Sequence, residues 1–247
     1  MTPIQINGVA LTIEDVDTIE RLSLRALWQA VQDFGFDAWQ IFHQSTDDPK
    51  DVAEDCTREM LDRFGGYGII QRIYGNVDYR KARHIILPDY SIRQALFVDS
   101  KAEKTNATAT LQMSQISMRV RQIRDGQAID LPGRLQCIER YSGFEYLSTT
   151  LLVHYCYSSP NQSQGRDVPP YNLKQIKLAA IPNGLLQSRY NPDENTGFWR
   201  AGRNAPSLGE EFRVRLNFDD LQRHSKWRVQ TVTYDDQQER IIGQWDT

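Results

Sequence analysis

Residues 76–104, NVDYRKARHIILPDYSIRQALFVDSKAEK, constrain this chain more than any other stretch. Two apolar runs flank Pro88, Asp89, Tyr90 and Ser91, residue types that favour turns. The spacing predicts a β-hairpin. One arm is Arg83 to Leu87, extended back towards Val77 and Asp78; the other is Gln94 to Asp99, ending in Asp99-Ser100-Lys101. Side chains alternate along a strand, so Asp99 and Lys101 point to the same face. Two carboxylates and a lysine on one rim are the parts of a divalent-metal hydrolase site. The acids hold Mg²⁺, and the lysine steadies or deprotonates a water.

Which acid partners Asp99 is decided by geometry. Asp89 sits at the tip of the hairpin, about six strand residues from Asp99, which separates them by roughly 20 Å at ~3.3 Å per residue. Folding the hairpin about Asp89 and Tyr90 brings Asp99 near Tyr79 to Lys81 and makes Asp78 the near neighbour. The reading is therefore Asp78, Asp99 and Lys101, with Asp89 a turn residue. The bland alternative is that Asp78 and Asp99 are solvated strand-end acids.

The 247 residues suffice for one large domain or two small ones, and a net charge of −3 gives no global sign of a nucleic-acid binder. Any DNA contact must concentrate positive charge locally. Cys56, Cys137 and Cys156 have no short spacing and an odd count, and read as buried thiols in a reducing compartment rather than a disulfide or zinc framework. The N-terminal segment has neither a basic region nor an apolar one, and no apolar run is long enough to span a bilayer. The expectation is a soluble cytoplasmic protein with no membrane partner.

Along the chain, Thr12 with Asp15 predicts a helix start, followed by a stripe from Val16 to Phe34 that Gly35 ends. Trp28, Phe36 and Trp39 read as core or a subunit contact. Asp48-Pro49 opens a second helix, with Val52, Cys56, Met60 and Phe64 on one side and Gly65-Gly66 as the stop. Glu54 lies off that stripe, roughly 160° round from Cys56. It is either a solvated helix residue or an acid aimed at the metal site. Residues 103–118 read as a short helix with loop flanks. Arg119 to Gly133 read as an exposed connection, with Arg119, Arg121 and Arg124 either a phosphate-binding strip or a charged surface. Leu135 to Tyr141, Tyr146 to Tyr157 and Ile176 to Ile181 are strand-like, and His154 reads as a core histidine. Ser158 to Pro170 is a polar loop, Gln187 to Gly209 is a long loop, and Asp235 to Thr247 is a loosely held tail.

In Glu211 to Phe218, EFRVRLNF, one face is apolar and the other presents Arg213, Arg215 and Asn217. A rigid strand with two guanidinium forks suits guanine O6 and N7 in a major groove. The alternative is an outward polar face bridged to acids. A short helix over Asp219 to His224 and a last strand over Trp227 to Tyr234 follow.

These residues carry a resemblance. VAED (Val52 to Asp55), VDYRK (Val77 to Lys81), FVDSKA (Phe97 to Ala102), TLQMSQ (Thr110 to Gln115), RYNPDENTGFWRAGRNAP (Arg189 to Pro206) and the Arg213/Arg215 strand are similar to the SfiI-like type II restriction endonucleases. These belong to the wider group that includes BglI and to the PD-(D/E)XK nuclease superfamily. The likeness runs from about Leu22 to Tyr234 and independently selects Asp78 over Asp89. It implies an α/β restriction-endonuclease fold, a mixed central sheet flanked by helices, as a single endonuclease domain over 1–247 with loops 158–170 and 187–209 as insertions. It also implies catalysis by Asp78, Asp99 and Lys101 with Glu54 as a supporting acid, and Mg²⁺ held by Asp78 and Asp99. Arg213, Arg215 and Arg203 would read bases, and Arg189, Arg200, Asn106 and Arg119 would follow the DNA backbone. The position aligned with a base-reading arginine after the D-x-K lysine holds Thr108 here, so the outer base pair of the family's GGCC half-site stays open. Implied partners are double-stranded DNA at a GC-rich, continuous or interrupted palindrome, a second copy or three more of the chain, and a cognate DNA methyltransferase in a bacterial cytoplasm. The rivals are a DNA-binding protein of the same fold that no longer cuts, and a nuclease without sequence preference.

Overall fold

Thr12 caps the first long helix as its sequence predicts. Its hydroxyl accepts the Asp15 N–H at 3.1 Å, and the Asp15 carboxylate accepts the Thr12 N–H at 2.7 Å. Such a reciprocal cap stabilises a helix start by about 1 kcal/mol. The computed structural model of the protein describes residues 4–63, 69–72, 80–87, 90–202, 213–235, 237 and 240–247. Asp78, Asp89 and Arg203 lie outside the described residues, as do Phe64 to Gly66.

A hairpin of β1 (Ile4–Ile6) and β2 (Val9–Leu11) leads into α1 (Ile13–Gln44) and α2 (Pro49–Arg63). The helix expected to stop at Gly35 continues to Gln44. Glycine in a helix interior costs about 1 kcal/mol relative to alanine. Here it makes room for a strand, because a Cβ at Gly35 would sit 3.1 Å from the Ile241 side chain. At α2, the Asp48 carboxylate accepts the Lys50 N–H at 2.9 Å, as the Asp-Pro signal predicts.

Six strands follow, the last two a small hairpin: β3 (Ile69–Arg72), β4 (Arg80–Leu87), β5 (Tyr90–Glu103), β6 (Thr108–Gln112), β7 (Val120–Arg124) and β8 (Gln127–Leu131). Next are β9 (Ile138–Tyr141), β10 (Phe144–Ser158), β11 (Asn161–Ser163), β12 (Arg166–Val168) and β13 (Asn172–Ile181). The chain closes with α3 (Gln187–Tyr190), β14 (Trp199–Ala201), β15 (Arg213–Asn217), α4 (Phe218–His224), β16 (Val229–Asp235) and β17 (Arg240–Ile242).

The predicted hairpin is the β4–β5 pair, in the register Leu87↔Tyr90 through Arg80↔Phe97. Tyr90 and Ser91, expected in the turn, are already paired strand residues. The central sheet has the order β17-β16-β13-β10-β5-β4-β3, with β9 also on β10. β5 and β10 run parallel and the other neighbours antiparallel, so the sheet is mixed as expected. One face packs Leu96, Val98, Leu151, Val153 and Tyr155 against α1 and α2, which bury Leu27, Phe34, Phe42, Val52 and Met60. Each such side chain stabilises the fold by about 1.5–3 kcal/mol. The opposite face carries a second core around Leu152, Ala179, Leu111, Val214, Leu216 and Phe218. That core is roofed by a small antiparallel sheet in the order β14-β15-β6.

Four segments differ from expectation. Residues 103–118 contain β6 and, after it, only a single 3-10 turn at Met113–Gln115 in place of the short helix with loop flanks. The run Thr108 to Gln112 alternates half-buried and buried, which is strand periodicity. The 119–133 connection is a hairpin closed by Asp125-Gly126 at φ 50° and 76°, and the 158–170 loop is one closed by Gln164-Gly165 at φ 51° and 74°. Both pairs suit a two-residue turn with positive φ. The tail is docked: β17 pairs with β16, Trp245 meets Trp28 edge-on at 6.0 Å, and Asp246 bonds Gln230 through its N–H and its carbonyl.

Phe36 and Trp39 lie at 5.8 and 5.7 Å from the Tyr234 ring, and Trp28 is buried in the core. Cys56 and Cys156 are buried and Cys137 half-buried, all as free thiols. Among the described residues no helix is long and apolar enough to cross a membrane.

Candidate active site and nucleic-acid interface

β5 is an inner strand of the sheet, bonded on one side to β4 and on the other to β10, so its backbone is fixed along most of its length. Leu96 and Val98 face the helices. Asp99, Lys101 and Glu103 alternate with them and point to the opposite side. Asp99 is 5% exposed and stands beside Leu152 of β10. Lys101 Nζ lies 2.7 Å from Asp99 Oδ2 and 3.0 Å from Oδ1. A buried carboxylate costs several kcal/mol unless paired and hydrogen-bonded. Here an ammonium and an amide serve that role, since Gln115 Nε2 donates to Asp99 Oδ1 at 2.7 Å.

Glu103, one step further on the same face, accepts the Thr110 N–H at 3.2 Å and lies 3.7 Å from Nε2 of His154. His154 is fully buried, with its ring edge-on to Phe218 at 5.1 Å, so the core reading of this histidine holds. Burial pushes the Glu103 carboxyl up. The nearby His154 ring and the bond from Thr110 outweigh that, and the group sits below its ordinary 4.5. Glu103 thereby ties the strand of Asp99 and Lys101 to β6.

β6, β15 and β14 present one polar face. Arg200, Arg215 and Thr110 stand in one row across the three strands; Arg213 faces Gln112, and Asn217 faces Thr108. The apolar side of β15, Val214 and Leu216, is fully buried, which anchors the strand and fixes where its arginines point. Arg213, Arg215 and Thr108 are half-buried. Among the described residues no carboxylate pairs with Arg215. This sheet edge meets β5 at two places, Thr110 to Glu103 and Gln115 to Asp99.

The remaining expected positions are held differently. Glu54 lies on α2, on the helix side of β5, and pairs with Lys50 at 3.7 Å; no described hydrogen bond or ion pair joins it to Asp99 or Lys101. Arg119 pairs with Asp130 at 2.7 Å, Arg189 with Glu14 and Asp17, and Arg200 with Asp220. Asn106 is exposed. Of the 119–124 arginines, Arg121 donates to the Pro192 carbonyl and Arg124 to that of Gly202, so they brace the 187–202 segment. Among the described residues no group of three or more carboxylate, histidine or cysteine side chains could hold a metal ion, Asp78 being outside them.

The sequence model of the family "Type II restriction enzyme SfiI" matches residues 23–232. The type II restriction enzyme SfiI of Streptomyces fimbriatus is 30% identical over 246 residues, covering 95% of this chain and 90% of the relative. The chain belongs to the SfiI family of type II restriction enzymes.

Solved structures agree with that membership. The tetrameric restriction endonuclease SfiI bound to cognate DNA superposes with a TM-score of 0.82 at 29% identity, covering 94% of this chain and 89% of that one. The restriction endonuclease BglI bound to its DNA recognition sequence gives 0.69 at 19% identity, over 88% and 90% of the two chains, a likeness of fold. The mixed sheet flanked by helices is thus the restriction-endonuclease fold. As a family member the chain is a site-specific deoxyribonuclease. Two residues at its site escape reading from sequence, Gln115 and Glu103. The signal for Gln115 was present as a glutamine three residues after Gln112, the spacing at which a side chain caps its own turn.

Proposed function

We propose that this enzyme hydrolyses phosphodiester bonds in duplex DNA with Mg²⁺ held by Asp78 and Asp99, at a GC-rich palindrome read by Arg213 and Arg215. The observation that carries this is the Asp99–Lys101 pair at 2.7 Å on a fixed strand, beside a sheet whose outward face offers arginines. The last described β4–β5 pair, Arg80↔Phe97, stands two residues after Asp78 and two before Asp99 in the sequence. An ionised carboxylate oxygen is a hard donor, which fits a hard divalent cation. Bound Mg²⁺ supplies charge stabilisation at the attacked phosphate and leaving oxygen.

The chain's own groups do the rest. Asp99 and Asp78 fix the cation's place. Lys101, held by Asp99, orients a water for attack. Glu54 is the supporting acid by family likeness, released from Lys50 when it acts. Arg203 and Thr108 are base-reading residues by family likeness. Arg189, Arg200, Asn106 and Arg119 line the backbone path, where phosphates exchange with the acids that now hold the three arginines. One such domain cuts one strand, so a homodimer or homotetramer is required to cut both, and a two-fold assembly reads a palindrome. A bacterial cytoplasm with a cognate methyltransferase completes the setting.

The test separates cutting from binding. Asp99→Ala and Lys101→Ala should each lower cleavage by at least about a hundredfold while a gel shift on the same DNA persists. Cleavage at the parent rate by either variant would place the site elsewhere.

A further inference from the structure

Gln115 is 7% exposed and has both ends of its amide engaged. Its Oε1 accepts the backbone N–H of Gln112 at 2.9 Å. A backbone N–H only donates, so the amide oxygen must face Gln112 and the NH₂ group must face Asp99. The 2.7 Å bond from Nε2 to Asp99 Oδ1 follows from that one orientation. The other carboxylate oxygen lies against Lys101 Nζ. Oδ1 accepts from both Gln115 and Lys101, which fixes the orientation of the carboxylate, and a carboxylate has lone pairs left for a cation.

Gln112 is the last residue of β6 and stands opposite Arg213. One side chain thus spans from the arginine-bearing sheet to the acid on β5. We propose that Gln115 is a positioning residue of the metal site, fixing the Asp99 carboxylate for the cation and holding it in register with the β6–β15 sheet. This rests on the reading of Asp99 as a metal ligand. Residues that orient a metal ligand through a hydrogen bond commonly matter about 10–100-fold for metal affinity.

Two variants test it. Gln115→Met keeps the volume and removes both bonds. Gln115→Asn keeps an amide but is one methylene too short to span Gln112 and Asp99. Each is titrated with Mn²⁺, read as free Mn²⁺ by electron paramagnetic resonance. The protein is bound to a duplex carrying its mapped cleavage site, with a hydrolysis-resistant linkage at the cut position. The expected result is about 10–100-fold weaker Mn²⁺ binding, with metal-free DNA affinity unchanged and the cleavage rate recovering at high Mg²⁺. Parent-like Mn²⁺ affinity in either folded variant overturns the proposal, whatever happens to thermal stability, because a merely structural role predicts that outcome. Asp99→Ala is run alongside. Should it lose Mn²⁺ while the Gln115 variants keep it, only the role of Gln115 fails. Should it bind Mn²⁺ like the parent, the reading of Asp99 fails and this inference with it.

Discussion

Arg215 stands half-buried on a strand whose other face is fully buried, and no described carboxylate neutralises it. Arg119, Arg189 and Arg200 each have one. A guanidinium fixed in place with no described carboxylate beside it suits a bidentate bond to a base. Arg215→Ala should therefore cost about 1–3 kcal/mol of discrimination at one base position, measured as relative cleavage of single-substituted sites, and Arg213→Ala, on the same face of the strand, should do the same. Equal loss on every sequence would make these residues phosphate clamps. The shared face of Asp99 and Lys101, and that of Arg213 and Arg215, were legible because a strand's period of two sets them without knowledge of the fold. Gln115 and Glu103 were not, because their roles depend on β6 meeting β5, a contact made by the tertiary fold.

Among the elements, β5 and β6 are coupled by Glu103, and that coupling depends on pH. The Glu103 carboxyl is held below its ordinary 4.5, so the folded state releases this proton more readily than the unfolded one. Its contribution is complete above 4.5 and is lost as pH falls through the lowered value. Glu103→Gln keeps an acceptor for Thr110 but does not titrate, so its urea midpoint should fall less steeply below that pH than the parent's. Parallel curves would contradict the coupling. A second tie joins α1 to the C-terminal strands. Arg228 is fully buried and donates to Asp17 at 2.6 Å, Glu20 at 2.7 Å and the Ala180 carbonyl at 3.1 Å. Arg228→Ala strands Glu20 in the core and should cost about 3–5 kcal/mol in chemical unfolding; a change under about 1 kcal/mol would mean the pair relaxes to solvent. The long elements α1, β4, β5, β10 and β13 followed from periodicity. The small hairpins were missed although Asp125-Gly126 and Gln164-Gly165 are turn signals, because their strands are short and mostly polar, and the buried face of β7 holds Gln122 beside Val120 rather than an apolar run. The tail was misjudged because its anchors, Ile241 and Trp245, sit in a polar stretch and have partners more than 200 residues earlier, on α1.

At the scale of the whole molecule, the central sheet divides two jobs. The helix side supplies stability through α1 and α2. The other side sets a buried acid–lysine pair beside a small arginine-bearing sheet, with two hydrogen-bonded links between them. A chain of net charge −3 has little general attraction for DNA, so its affinity must come from that one face and weaken as salt rises. The most direct measurement is incubation of the purified protein with phage and plasmid DNA, with and without Mg²⁺, read on a gel beside Asp99→Ala. Discrete fragments that require Mg²⁺ and vanish in the variant, with ends that map to one palindromic sequence, are the expected result. A smear, or the same fragments from Asp99→Ala, would rule out sequence-specific cleavage at this site.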